Sequence, residues 1–241
     1  PDSCFGISDD DMYQDSIVTA LSSAFTEPYV INIPADYSSI QQGLNVANEG
    51  DTVLVQPDTY YENIFWPETN GIKLISAGDS SNTIIDGGGI SIVIYMNPST
   101  VTIDSNTVIS DFTIQNGNAI NGESGIVCLS SNPTLEKLLI RENNGGGFLC
   151  TNEGESWMRP KISNVTISNN SGDGAHFDDD CSAIFNNVKI SDNGGYGVNC
   201  EENATPILNN VKISDNYSHG IHSESWGSPT INNGIISNNG G

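Results

Sequence analysis

Residues 206–213 read Pro-Ile-Leu-Asn-Asn-Val-Lys-Ile, and residues 183–190 read Ala-Ile-Phe-Asn-Asn-Val-Lys-Ile, 23 residues earlier. The pattern continues on both sides of this pair. One anchor position, at intervals of 27, 23, 23 and 23 residues, is filled in turn by Leu138, Val165, Val188, Val211 and Gly234. A repeat this short is a single supersecondary unit that cannot bury its own apolar side, so neighbouring units must stack to form a core.

The repeating unit has the pattern of short strands. Apolar and polar residues alternate, as in Val188-Lys189-Ile190, which is strand periodicity. Asparagine and glycine, which form helices poorly, are frequent between these runs. Asparagines three residues after each inner isoleucine are expected to adopt the left-handed backbone of corners and to hydrogen-bond from turn to turn. They are Asn170, Asn193, Asn216 and Asn239. The sequence therefore predicts an all-β solenoid with one turn per unit.

With these features the chain resembles the right-handed parallel β-helix of the pectate-lyase-like superfamily. The segment from Ile33-Pro34 through Gly50-Asp51-Thr52 to Tyr61-Glu62-Asn63 is similar to the N-terminal module of many secreted members. The resemblance implies a right-handed parallel β-helix of about eight coils over residues 31–241. A short helix, capped by Ser38 or Ser39 and running through Asn48, would cover its N-terminal end. Because the superfamily includes lyases, hydrolases, esterases, epimerases, adhesins and inert scaffolds, the resemblance implies a fold and no particular activity.

The charge of the chain excludes several classes of partner. It carries 30 acidic residues against 7 basic ones, a net charge of −23. Nucleic acids and anionic membrane surfaces both need a basic patch, so neither is an expected partner. The sequence has no run of about 20 apolar residues, so membrane insertion is not expected. The chain starts without an initiator methionine or a signal peptide, which favours a processed chain that is secreted or at the cell surface.

The cysteines suggest a buried set. Cys128, Cys150 and Cys200 each lie three residues after a repeat glycine, where the alternation places side chains inside. They are expected either to pack as small apolar residues or, for Cys128 and Cys150 one turn apart, to form a disulfide. Cys4 and Cys181 lie outside this register. No cysteine–histidine spacing of a metal site is present.

One outward face carries the residues that could do chemistry. Two positions after each repeat glycine stand Val127, Leu149, His176, Asn199 and His222. Four positions after it stand Leu129, Thr151, Asp178, Glu201 and Glu224. Stacking would place the three carboxylates of the second set about 4.8 Å apart.

Three kinds of site fit this pattern. Asp178, Glu201 and Glu224 could hold a calcium ion. The carboxylates could act as a general acid and base on a glycan, or they could bind a metal together with His176 and His222. The alternative is a polar strand face on which stacking aligns like residues.

Two loops interrupt the repeat beside this face, at residues 117–123 and 151–159. Trp157 and Trp226, in or near such turns, would either stack on sugar rings or shield the edge of the coil. A lyase of this superfamily needs a lysine or arginine base, and the outward positions hold neither. The hydrolase motifs are present only as fragments, Asp178-Asp179-Asp180 and Ser218-His219-Gly220. No catalytic role is therefore carried over from the superfamily.

The two ends of the sequence suggest self-association. The repeat reaches Gly240-Gly241 without a capping segment, and an open β-helix end exposes apolar surface and strand edges. Residues 1–30 contain β-prone segments and are predicted to be an N-terminal arm that donates a strand to a neighbouring molecule. Exposed Val127, Leu129 and Leu149 would widen this contact. The favoured hypothesis is thus a secreted, non-catalytic structural or surface-interaction protein that assembles head to tail into an extracellular filament.

The alternative function is that of a carbohydrate-active protein. It would bind a polysaccharide along the face from His176 to Glu224, or cleave it as a calcium-dependent lyase or a glycoside hydrolase. Loss of binding after mutation of the carboxylates, against loss of assembly after deletion of residues 1–30, distinguishes the two hypotheses.

Overall fold

The computed structural model describes residues 27–118, 122–154 and 157–241. Within them the chain forms one helix, α1 (Ile40–Val46), and 24 strands in three parallel sheets. The first sheet contains β1 (Val30–Ile33), β2 (Thr52–Val55), β5 (Lys73–Ser76), β8 (Val108–Ser110), β11 (Thr134–Glu136), β14 (Lys161–Ser163), β17 (Ile184–Asn186), β20 (Ile207–Asn209) and β23 (Thr230–Asn232).

The second sheet contains β3 (Thr59–Tyr61), β6 (Ile84–Asp86), β9 (Thr113–Gln115), β12 (Leu139–Arg141), β15 (Thr166–Ser168), β18 (Lys189–Ser191), β21 (Lys212–Ser214) and β24 (Ile235–Ser237). The third sheet contains β4 (Ile64–Phe65), β7 (Ile94–Met96), β10 (Glu123–Leu129), β13 (Gly146–Thr151), β16 (Ala175–Phe177), β19 (Val198–Cys200) and β22 (Ile221–Ser223). From β2 onward the chain visits the three sheets in the same order, turn after turn. The predicted solenoid is confirmed, with about nine turns.

The core runs along the inside of the coil. In the first and second sheets the middle residue of each three-residue strand points inward, so equivalent positions stack on one another: Ile140, Ile167, Ile190 and Ile213 in the second sheet are all buried. Near the centre three phenylalanines pack edge to face, with ring centroids 5.3 Å apart for Phe177 and Phe185. Each such ring contributes about 1.5–3 kcal/mol by burial.

Helix α1 covers the N-terminal end of the core, as predicted. Ser39 is its N-cap, since its hydroxyl accepts the N–H of Gln42. Gly43 lets the helix approach the first sheet closely, because a Cβ there would lie 2.9 Å from Cδ1 of Ile33. The helix ends at Val46, two residues before the predicted Asn48.

The corner asparagines behave differently from the prediction. The left-handed backbone falls one residue earlier, for example at Asp192 and Asp215, each with φ of 60°. The ladder asparagines Asn143, Asn170, Asn193, Asn216 and Asn239 instead bond to one another, each side-chain amide donating to the next Oδ1 at 2.8–3.0 Å. The predicted turn-to-turn amide bonding is therefore present, and it uses the position that keeps an ordinary backbone.

The disulfide joins Cys150 to Cys181, with 6.1 Å between the Cα atoms. Cys128 is the strand neighbour of Cys150, but it is free and buried, as is Cys200. The alternative of a Cys128–Cys150 disulfide is therefore wrong, whereas the other alternative, packing as small buried residues, is confirmed for Cys128 and Cys200. The partner of Cys150 is instead Cys181, which is fully buried beside the end of β13. The backbone of Cys181 forms an isolated β-bridge with that of Met158.

Other predictions concern the surface. Val127, Leu129 and Leu149 are 4%, 7% and 8% exposed, so they offer no exposed apolar contact. Gly122, at the described end of the insertion before β10, lines the same hollow as Leu149. The predicted N-terminal arm lies outside the described residues except for its last four, of which Val30 begins β1. No helix in the described part of the chain is long and apolar enough to cross a membrane.

Candidate functional site

The outer face of the third sheet carries one continuous line of side chains, here called the outer column. Strand pairing aligns its seven members in this order: Phe65, Tyr95, Val127, Leu149, His176, Asn199 and His222. The predicted register of Leu149, His176, Asn199 and His222 is thus confirmed. The column is aromatic at one end, apolar in the middle and polar at the other end.

Asp178, Glu201 and Glu224 occupy equivalent positions immediately after β16, β19 and β22. Their backbone N–H groups donate to the previous turn in the same way, as from Glu201 to the carbonyl of Phe177 at 2.9 Å and from Glu224 to that of Cys200 at 3.0 Å. Their side chains nevertheless diverge, because these positions lie in turns where the backbone direction changes. Glu224 is exposed.

Asp178 groups with its turn neighbours. Carboxylate oxygens of Asp178, Asp179 and Glu202 lie within 4.8 Å of one another. Burial and the charge of Asp179 raise the pKa of Asp178. A hydrogen bond with Asp179, together with its charge, raises the pKa of Glu202. A group of this kind can share protons or hold a cation. The calcium ion was predicted at Asp178, Glu201 and Glu224, and of these three only Asp178 belongs to this group.

Glu201 turns instead toward the outer column. One of its oxygens lies 3.7 Å from Nε2 of His176, and the other accepts the amide N–H of Asn199 at 2.8 Å. Since that amide donates, Oδ1 of Asn199 is the acceptor for Nδ1 of His222, 3.0 Å away. The His222 ring in turn stacks on Tyr196, with centroids 4.4 Å apart and planes 7° from parallel. The predicted residues are therefore linked in the order His176, Glu201, Asn199 and His222, with Asn199 as the one member that was not predicted as a site residue.

A hollow of about 290 Å³ lies beside the column at the corner between the second and third sheets. This corner hollow is lined by Gly122, Gly146, Phe148, Leu149, Gly172, Asp173 and His176. The position before each repeat glycine is equivalent from turn to turn, because the N–H of each repeat glycine donates to the carbonyl of that position in the next turn. Gly146 has no side chain there, which leaves the hollow open, whereas the following turns carry Asp173, Tyr196 and His219.

Asp173 is the polar group of the corner hollow that sequence reasoning missed. It accepts the backbone N–H of Tyr196 at 2.7 Å, and burial raises its pKa. The available signal was the position before each repeat glycine, which changes from Gly146 to Asp173, Tyr196 and His219. A half-buried carboxyl next to His176 can exchange a proton or bind a cation.

Trp157 and Trp226, which were expected either to stack on sugar rings or to shield the edge of the coil, are both exposed. Trp226 is 86% exposed in the turn after β22, and Trp157 is also exposed. Neither ring is buried against the coil, so both are free to contact a ligand.

Comparison with known proteins agrees with the fold. A family model described as a right handed beta helix region matches residues 109–241. A similar solved structure is the A-module of a mannuronan C-5 epimerase from Azotobacter vinelandii, at 16% identity and a TM-score of 0.60, covering 88% of this chain and 72% of that one. Another is the pectin methylesterase from Aspergillus niger, at 11% identity and a TM-score of 0.58, covering 88% and 86%.

A rice weevil pectin methyl esterase is similar at 11% identity with a TM-score of 0.55, covering 98% of this chain and 97% of that one. A search of curated proteins found no match. At these identities the likeness to solved structures shows the fold alone, a parallel β-helix of the pectate-lyase-like type.

Proposed function

Because the chain belongs to the right-handed β-helix family, whose fold is related to that of carbohydrate-active proteins, we propose that it binds a polysaccharide along the outer column. The observation that carries this proposal is the line of outward side chains beside a hollow, in which Phe65 is exposed and Tyr95, His176 and His222 are half-buried, whereas Val127, Leu149 and Asn199 are covered. The similar proteins are named for mannuronan and pectin, which are both polysaccharides.

The outer column has the chemistry that sugars need. Its aromatic end has an exposed Phe65 ring, edge to face with Tyr95 at 6.3 Å. Its polar end offers the stacked His222–Tyr196 pair and the Asn199–Glu201 hydrogen bond. Aromatic faces pack against the C–H faces of sugar rings, while amides both donate to and accept from hydroxyls and carboxylates accept from them. Strands about 4.8 Å apart repeat at a distance close to the length of one sugar residue.

The proposed role is binding rather than cleavage, outside the cell. Lys73 and Lys161 lie on the first sheet, and Arg141, Lys189 and Lys212 lie on the second. The base of a lyase is thus absent from the strand positions of the outer column. A calcium ion at Asp178, Asp179 and Glu202 would be an accessory to binding.

Affinity electrophoresis and isothermal titration with a panel of polysaccharides test the proposal. We expect the wild-type chain to bind at least one of them, and Tyr95→Ala and His222→Ala to weaken binding about tenfold. Tyr61→Ala is the matched control, because Tyr61 is an exposed aromatic residue of the second sheet. Equal effects of all three substitutions, or no binding at all, would contradict the proposal. Release of soluble sugars would establish cleavage, and loss of binding with a chelator would establish the calcium ion.

End-to-end self-association is the second candidate function. Ile231 and Ile236 in the last described turn are 41% and 47% exposed, whereas their equivalents in the preceding turn, Leu208 and Ile213, are buried. Apolar side chains exposed in this way favour contact with further β-structure, such as another copy. Electron microscopy and sedimentation velocity should detect filaments that Ile231→Ser and Ile236→Ser shorten and that deletion of residues 1–30 abolishes. A monomer at high concentration contradicts this candidate and leaves the first untouched.

A further inference from the structure

We infer that the corner hollow receives the protonated amine of an amino-sugar residue, so that the preferred polysaccharide is cationic. This inference rests on the proposed function, since it names the class of polysaccharide that the outer column binds. It is argued from the shape of the hollow, the carboxyl inside it and the charges around it.

The shape of the corner hollow suits one sugar ring. Its volume of about 290 Å³ is at the small end of the range for ligand pockets. Phe148 and Leu149, 2% and 8% exposed, line one side of it with the small apolar surface that they leave uncovered. Gly146 and Gly172 supply backbone edges without side chains, so a ring can approach closely.

The polar side of the hollow holds an acid without a strong cationic partner. The Asp173 carboxylate accepts the backbone N–H of Tyr196 and a side-chain hydrogen bond from Asn199, and its charged neighbour is a histidine, His176, rather than a lysine or arginine. In the described part of the chain, the lysine and arginine ion pairs lie elsewhere, joining Lys137 to Asp111 and Arg141 to Glu142. A carboxylate that is partly desolvated and lacks a cation is costly, and an ammonium group placed beside it removes that cost. The raised pKa of Asp173, caused by burial, agrees with this reasoning.

The surroundings of the hollow select the same charge. The acidic group Asp178, Asp179 and Glu202 lies in the turns that follow β16 and β19, and β16 contains His176. Glu201 contacts His176 directly. Together with a net charge of −23, these groups attract cations over about 10 Å in dilute salt and repel uronate polymers. A neutral glycan could use the aromatic and amide contacts of the outer column but would gain nothing from Asp173.

Isothermal titration of the whole chain with four sugar oligomers tests the inference. The probes are oligomers of glucosamine, of glucose with the same linkage, of N-acetylglucosamine and of galacturonate, in a buffer near neutral pH. We expect the glucosamine oligomer to bind at least tenfold more tightly than the glucose oligomer, and this advantage to fall as sodium chloride is added. The galacturonate oligomer should not bind.

Two substitutions place the effect in the hollow. Asp173→Asn should remove most of the glucosamine preference, whereas Asp58→Asn, the same change of charge on an exposed turn near β3, should leave it intact. Gly146→Tyr should block the hollow, since a Cβ there meets only ordinary contacts, the nearest at 3.4 Å. Melting temperatures check that each variant folds. If Gly146→Tyr does not fold, the comparison of Asp173→Asn with Asp58→Asn decides the test.

The outcomes separate this inference from the proposed function. Equal binding of the glucose and glucosamine oligomers, or preferred binding of galacturonate, overturns the amino-sugar inference while polysaccharide binding stands. An equal loss with Asp58→Asn and Asp173→Asn overturns it as well, because the preference would then be a general effect of surface charge. Absence of binding by every oligomer and polysaccharide overturns both.

Discussion

Asn193 is one amide in the buried ladder that runs along the corner of the coil. Its Nδ2 donates to Asn216 at 2.9 Å and to the carbonyl of Ile167 at 3.2 Å, while its Oδ1 accepts from Asn170 at 3.0 Å. Asn193→Ala would leave the buried backbone N–H of Asn170 without its acceptor and would remove one hydrogen bond each from Ile167 and Asn216, at a cost of about 1–3 kcal/mol for each buried group left unsatisfied. We expect the free energy of unfolding in urea to fall by roughly 3 kcal/mol.

Asn209→Ala is the control for this prediction. Asn209 also donates to the preceding turn, to Oδ1 of Asn186 at 2.9 Å, but it is only half-buried. Water can replace the lost bonds there, so the loss should stay below about 1 kcal/mol. Equal losses for the two variants would show that burial of the ladder is unimportant.

The two free thiols make a second prediction at this scale. Burial raises the pKa of the Cys128 thiol far above its usual range and that of Cys200 to about 12. Since the thiolate is the reactive species, neither should react with a disulfide reagent such as DTNB in the folded protein. In a Cys4→Ser variant we expect no reaction in native buffer and reaction of two thiols per chain in denaturant. Prompt reaction in native buffer would mean that the core opens at these positions.

At the scale of the element, α1 depends on a residue distant in sequence. The Glu62 carboxylate accepts the backbone N–H groups of Ile40 and Gln41 at 2.8 and 2.9 Å, which are donors that a helix leaves without internal partners. Glu62→Gln should lower the free energy of unfolding by about 1 kcal/mol, because a neutral acceptor is weaker at this end of a helix. Glu49→Gln, at an exposed position after the helix, should change it by less than about 0.5 kcal/mol in the same urea titration. A loss for Glu49→Gln as large as that for Glu62→Gln would contradict the capping role.

Strands were predictable here and turns were not, and the difference has a physical cause. A parallel coil with a fixed repeat forces equivalent residues into register, so the spacing alone placed Leu149, His176, Asn199 and His222 on one face. Side chains in turns follow the local backbone instead. The carboxylate of Glu201 therefore reaches His176 while Asp178 groups with its turn neighbours.

The same cause explains the other differences from the predictions. Cys181 reaches Cys150 because the turn after β16 brings it inward, which no repeat position indicates. Asp173 was missed because the corner hollow is made by the absence of a side chain at Gly146. A glycine in one turn of a repeat is a weak signal when the other turns carry unrelated residues.

At the scale of the whole molecule, the acidic groups predict how stability depends on pH. The pKa values of Asp173 and Asp178 are raised above the usual 3.8, mainly by burial. The folded chain therefore binds these protons more tightly than the unfolded chain does, and stability rises as the pH falls through the raised values. Glu68 acts in the opposite sense, because hydrogen bonds from Ser99 and Thr100 lower its pKa from 4.5 to about 2. Its contribution is present above pH 4.5 and is lost as the pH falls toward 2.

The raised pKa values of Asp173 and Asp178 and the lowered pKa of Glu68 act in opposite directions, and protonation also relieves repulsion within a chain of net charge −23. Together these effects predict a maximum of stability in mild acid. We expect the melting temperature, followed by circular dichroism, to rise from neutral pH into the mildly acidic range and to fall again below about pH 4.5. Asp173→Asn combined with Asp178→Asn should flatten the rise, because these two carboxyl groups no longer take up protons. Glu68→Gln should reduce the fall at the acidic side while leaving the rise unchanged. A melting temperature that declines steadily from neutral pH would mean that buried carboxyls do not control the stability of this face.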